Sequence, residues 1–135
     1  MSWLKKSLVA ALMGFALLGS PPKEARATVG EYSYHTHYFG LLSWQYVNVA
    51  YENSRRVTQY GYYGFELSYY AHLYSYYVYY QDNAQLNHYT EGYSNYAYQA
   101  SEAEWKYFGG NGYWYYSAHC SYLQMVYPFY SYTYE

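Results

Sequence analysis

His35 and His37, separated by a single residue, are the pair in this chain whose types and spacing point most directly to chemistry. On an extended strand residues i and i+2 share a face, so two imidazoles would stand side by side as ligands for Zn or Cu. A third donor would come from Glu31, His72, His88 or His119. No other constellation has that directness. Cys120 follows His119 directly, but neighbours on a strand point to opposite faces, so adjacency makes no dyad. As the single cysteine it can form no internal disulfide, which leaves a buried inert thiol or an intermolecular one. Glu102 and Glu104 form the one close carboxylate pair and fit a solvated turn. No nucleophile elbow, zinc-protease helix or phosphate loop occurs. The expectation is that the chain is not an enzyme and has no resident cofactor, a metal ion at His35 and His37 excepted.

Tyrosine supplies what chemistry remains. The chain has 28 tyrosines in 135 residues. Phenols stack, oxidise one electron at a time and couple to dityrosine, and rigid rings give binding area at low entropy cost. In Gln59–Tyr80, QYGYYGFELSYYAHLYSYYVYY, nearly half the residues are tyrosine and Glu66 is the only charge. The rings expected to stack in assembly are Tyr74, Tyr76, Tyr77, Tyr79 and Tyr80, together with Tyr130, Tyr132 and Tyr134 at the C-terminus. Trp44, Trp105 and Trp114 are the candidates for stacking on sugar rings.

The elements that would position these rings follow from the alternation. Residues 1–27 carry Lys5 and Lys6, an apolar run over 8–19 and the small-residue site Ala25-Arg26-Ala27, the order of a secretory signal peptide. The run is too short to span a bilayer. Beyond it, 28–135 forms one tyrosine-rich domain. Tyr32–Phe39 and Leu42–Glu52 read as strands, with Gly40 between them. Arg56–Tyr80 reads as a strand bent at Gly61 and Gly64, with a drier odd-numbered face from Phe65 to Leu73. A helix through Leu67, Tyr70, Ala71, Tyr74, Tyr77 and Val78 also satisfies its spacing. Trp105–Phe108 and Tyr113–Tyr116, joined by Gly109–Gly112, read as a hairpin; the alternative is a short helix opened by Ser101-x-x-Glu104. Pro128 interrupts the last strand. The expected fold is mostly β: a small antiparallel sheet, sandwich or open barrel after an N-terminal signal helix.

Three basic residues against eight acidic ones in 28–135 leave no cationic groove for nucleic acid. Tyrosine hydroxyls need water or one another, which disfavours a thick dry core. The function expected is that of an exported structural or interaction protein, secreted or in the cell envelope, acting through self-association of aromatic strands. The alternatives are a secreted β-rich module binding polysaccharide and a small outer-membrane β-barrel. The barrel would need an aliphatic lipid-facing band that this composition lacks.

Overall fold

The computed structural model describes residues 30–134, the side chains of 129 and 131–134 excepted. The segment read as a signal peptide lies outside them. The fold is helical. Four helices follow one another: α1, Glu31–Glu52; α2, Gln59–Tyr80; α3, Asn87–Tyr107; and α4, Gly112–Tyr134. A short 3-10 turn, Ala84–Leu86, leads into α3. No strand occurs among the described residues, so the expected sheet, sandwich or barrel is replaced by a helical bundle. The helices are 21–23 residues long, or about 33 Å. Each packs on two neighbours: α1 on α4 and α2, and α3 on α2 and α4, with α1 and α4 in the most extensive contact.

The reason for helix lies in the small residues. Buried positions recur at alternating spacings of three and four: Ser33, Thr36, Gly40, Ser43, Val47 and Ala50 on α1; Gly61, Gly64, Ser68, Ala71, Ser75 and Val78 on α2. On α3 they are Asn87, Thr90, Ser94, Ala97, Ser101 and Glu104, and on α4 Trp114, Ser117, Ser121, Gln124 and Pro128. This is the seven-residue repeat of coiled-coil packing. Its inward positions are filled by Gly, Ala, Ser and Thr where most bundles place Leu and Ile. On α2 the repeat is literal: Gly61-Tyr62-Tyr63-Gly64, Ser68-Tyr69-Tyr70-Ala71, Ser75-Tyr76-Tyr77-Val78. Tyrosine is an indifferent helix former, so packing of this stripe, rather than propensity, holds the helices.

Small inward residues let helices approach closely. A Cβ added at Gly64 would lie 2.5 Å from Ser101 Oγ and 3.4 Å from Ser101 N. Gly64→Leu, an aliphatic replacement at an inward position, is therefore expected to destabilise the fold by about 3 kcal/mol by forcing α2 off α3. A urea titration followed by far-ultraviolet circular dichroism measures it; an unchanged or raised midpoint would show that the seam has room.

The interior is polar as well as thin. The Ser43 hydroxyl donates to the Ser117 carbonyl at 3.1 Å, and the Ser117 hydroxyl donates to the Ser43 carbonyl at 2.9 Å. Ser43 also bonds to Ser121. Gln124 Nε2 crosses from α4 to donate to the Ala71 carbonyl at 3.0 Å and to Ser75 Oγ at 3.3 Å. At one end of the bundle the Glu104 carboxylate accepts from the Thr58 backbone N–H at 3.1 Å and from the Thr58 hydroxyl. Thr58 caps α2, accepting from Tyr60 N–H. Asn111 caps α4, accepting from Tyr113 N–H, and its amide donates to the Ala50 carbonyl at 3.0 Å.

The glycines and proline read as breakers act differently. Gly40, Gly61 and Gly64 are interior helical residues at which two helices touch, and Pro128 lies inside α4. Ser101 is a mid-helix core residue, so neither the hairpin nor the capping reading holds there. The turn expected at Gly109–Gly112 does fall between elements; those elements are α3 and α4, and Gly109 takes φ +70, which glycine tolerates.

Candidate functional site

The rings line the seams between helices and the outer faces. Along the α2–α3 seam Tyr70, Tyr93, Tyr74 and Tyr89 alternate between helices, with successive ring centroids 5.5, 5.4 and 5.3 Å apart. Tyr74 and Tyr93 are within 7° of parallel. On the α1–α4 seam Tyr127 stacks on Phe39 at 5.6 Å and packs, tilted, against His35 at 5.1 Å. Rings at these positions bury area against the neighbouring helix, and each such pair adds about 0.5–1.5 kcal/mol.

Outside the seams the aromatic surface is open. Sixteen aromatic side chains among the described residues are exposed, fourteen of them tyrosine, and none belongs to α1. Tyr62, Tyr63, Tyr69 and Tyr76 cover the outer face of α2, with the exposed edge of Tyr70 reaching it from the α2–α3 seam, and Glu66 is the single charge there. Contiguous apolar surface of this kind marks interaction sites.

A second feature is inward. Between α1 and α2 four rings lie nearly parallel in sequence: Trp44, His72, His37, Tyr79. Their centroid separations are 5.6, 5.5 and 5.9 Å and their interplanar angles 6°, 24° and 9°. His37 is 1% exposed, and neither of its ring nitrogens has a hydrogen-bond partner among the described residues. The same holds for His72 Nδ1 and Trp44 Nε1. Burial, with a contribution from the charge of His72, pushes the His37 imidazole down to about 3. Burial alone pushes His72 down to about 4. Both rings are therefore neutral at pH 7.

His35 and His37 do not face each other. Two residues apart on a helix is about 200°. His35 lies half-buried on the α1–α4 side, against Tyr127 and 3.4 Å from Glu31 Oε1, while His37 points into the α1–α2 seam towards His72. No group of three or more His, Cys, Asp or Glu placed to hold a metal occurs among the described residues. Of the expected stacking rings, Tyr79 is fully buried, Tyr76 and Tyr130 are exposed, and Tyr74 sits in the α2–α3 seam. Tyr74, Tyr76, Tyr77, Tyr79 and Tyr80 surround α2 on all sides, and no strand face gathers them. Tyr132 and Tyr134 lie in the last turn of α4, with side chains outside the described residues.

The tryptophans separate too. Trp114 is fully buried, Trp44 half-buried against His72, and Trp105 exposed. Trp105 lines a groove of about 300 Å³ between α3 and α4 with Tyr98, Tyr115, Tyr122, Glu102 and His119. Cys120 is 6% exposed, and burial pushes its thiol up to about 12, the condition of an inert thiol.

Sequence reasoning named His72 only as an outlying third ligand, read Glu104 as part of a solvated turn where it is buried and bonded to Thr58, and missed Gln124 and the small-residue stripe. On α2 the recurrence of Gly or Ser every seven residues before a tyrosine pair is the pattern that marks the stripe. No family model matches the chain, and neither a curated protein nor a solved structure matches it.

Proposed function

We propose that this chain is an exported structural or interaction protein that works by self-association through the tyrosine-covered outside of its helical bundle. The observation carrying this reading is the outer face of α2, where five exposed tyrosines stand around one charge. Two such faces in contact remove rigid rings from water at little side-chain entropy cost. Hydroxyls at the rim keep their water. Assembly is thus helix face against helix face, in place of the strand pairing that the alternation suggested. Oxidative coupling of rings from neighbouring molecules would then fix contacts as dityrosine: each ring loses one electron and one proton, a ring–ring bond forms between the two radicals, and hydrogen peroxide, the oxidant used by a peroxidase, is reduced to two waters.

Sedimentation velocity tests it. The wild-type chain is expected to associate in the micromolar range, and the Tyr62→Lys, Tyr69→Lys, Tyr76→Lys variant to remain monomeric with unchanged helicity. A wild type that stays monomeric at about 1 mM, a concentration at which even interactions of about −4 kcal/mol are half formed, would end the proposal. Release of 28–135 into the medium or envelope fraction, with the new N-terminus sequenced, tests export separately.

The groove at Trp105 favours a second reading, binding of carbohydrate. Trp105 and Tyr115 lie 4.9 Å apart and Tyr98 and Tyr122 5.4 Å apart. Glu102, held by the Tyr98 hydroxyl, and His119 supply polar groups beside these rings. Trp105→Ala is expected to abolish retention on a polysaccharide column; equal retention of variant and wild type would remove this reading.

A further inference from the structure

We infer that His37 and His72 form a two-coordinate site for a singly charged soft cation of the Cu(I) class, held inside the aromatic stack between α1 and α2. The inference starts from donors with nothing to bond. A neutral imidazole keeps one lone-pair nitrogen, and buried polar atoms without partners are rare enough to need a cause. Here both nitrogens of His37 and Nδ1 of His72 are shielded from solvent and unpartnered among the described residues. An ion between the rings accounts for one nitrogen of each.

The separation fits. An imidazole nitrogen lies about 2.0 Å from a bound metal and about 1.1 Å from its own ring centre, so two rings on one ion have centres no more than about 6.2 Å apart. The His37 and His72 centres are 5.5 Å apart. At this separation the two-nitrogen ligation is bent rather than linear, and each ring turns about its Cβ–Cγ bond until the lone pair in its plane points at the ion.

The surroundings select the ion. Zinc takes four ligands in structural sites and three plus water in catalytic ones, and the described residues supply no third His, Cys, Asp or Glu here. Doubly charged ions are also the costlier to bury where no anion stands close. The rings against this pair are Trp44 on His72 and Tyr76, Tyr79 and Tyr80 on His37. Aromatic faces attract a cation without adding formal charge. Cu(I), with a filled d shell and a tolerance for two ligands, meets these conditions; divalent hard ions do not. His72 is only partly buried and gives the ion its way in.

The test uses Ag(I), a redox-inert probe of the same class, on the full chain and on a Cys120→Ser form in which the lone thiol cannot compete. Imidazole 15N shifts and Trp44 fluorescence are followed through the titration. The expected result is one ion per chain, with 15N shifts confined to His37 and His72. Saturable binding should be lost in His37→Gln and in His72→Gln and kept in His35→Gln and His88→Gln. No saturable binding, shifts at other histidines, or binding that survives the His37→Gln and His72→Gln pair overturns the inference and leaves an ordered water as the occupant. Should either glutamine variant fail to fold by circular dichroism, the wild-type 15N shifts alone decide.

Discussion

Lowering the pH from 7 to 5, with metal ions chelated, removes about 4 kcal/mol from the unfolding free energy of this bundle. The two histidines of the α1–α2 stack cause it. Their folded values, about 3 and about 4, lie below the ordinary 6.5. Below pH 6.5 the unfolded chain therefore binds more protons than the folded one, and stability falls as pH falls. Each histidine loses about 1.4 kcal/mol per pH unit below 6.5 until its folded value is reached, which gives roughly 2 kcal/mol each at pH 5. Domain stabilities are about 5–15 kcal/mol, so the loss is a large fraction of the whole. The ring contacts of His37 are His72, Tyr76, Tyr79 and Tyr80, and His72 adds Trp44; none is a carboxylate that could hold an imidazolium. Urea midpoints measured from pH 7 to 4 provide the check. A steep fall is expected for the wild type and a shallower one for His72→Phe. A flat wild-type profile would mean that the histidines reach solvent in the folded state.

Trp114→Ala is expected to cost about 3–5 kcal/mol, the range for removing a buried Trp from a core. Among the described residues Trp114 is the only aromatic ring at an inward position of the repeat, and it is fully buried. It packs with Val47 and Ala50 under Trp44, Val57 and Phe65, and its Nε1 donates to Ser54 Oγ at 3.1 Å. The seams around it are made of Gly, Ala and Ser and have little side-chain volume with which to fill the hole. Trp105→Ala is the control: at 39% exposed it should shift stability by less than about 1 kcal/mol. Similar losses from the two substitutions would show that the core is not organised around Trp114.

The contrast between these tryptophans shows what could be read in the sequence. Composition showed that tyrosine had to keep its hydroxyls near water, and the structure meets that need with seams and outer faces. The turn at Gly109–Gly112 was legible from its residues. The fold was not. Tyrosine crowds the positions flanking the inward stripe, and pairs such as Tyr60 and Tyr62 or Tyr74 and Tyr76 mimic the period of a strand, which hides the helical spacing of the positions it leaves empty. The helical face read through Leu67, Tyr70, Ala71 and Tyr74 was right in kind and displaced in angle, since only Ala71 and Val78 of its members enter the core. In a chain saturated with one large residue the small residues carry the pattern. His37 and His72 could not be paired from sequence, because their meeting depends on helices that the alternation did not predict.

A seam of small residues has one more consequence. Large interlocking side chains make a helix pair fit in one place only, whereas a stripe of Gly, Ala and Ser repeating every seven residues looks nearly the same after a slide of one repeat, about 10.5 Å along the axis. Shape alone does not fix the register of these helices. The polar contacts do: the Ser43–Ser117 exchange between α1 and α4, Gln124 against Ala71 between α4 and α2, and Glu104 on Thr58 between α3 and the start of α2. Each ties one residue to a short stretch of the facing element, Ser43 to Ser117 and Ser121, Gln124 to Ala71 and Ser75, and Glu104 to Thr58, much as a buried polar residue sets register in a coiled coil. The bundle works as a ruled scale with three pins, and removing a pin frees a helix to find the next mark.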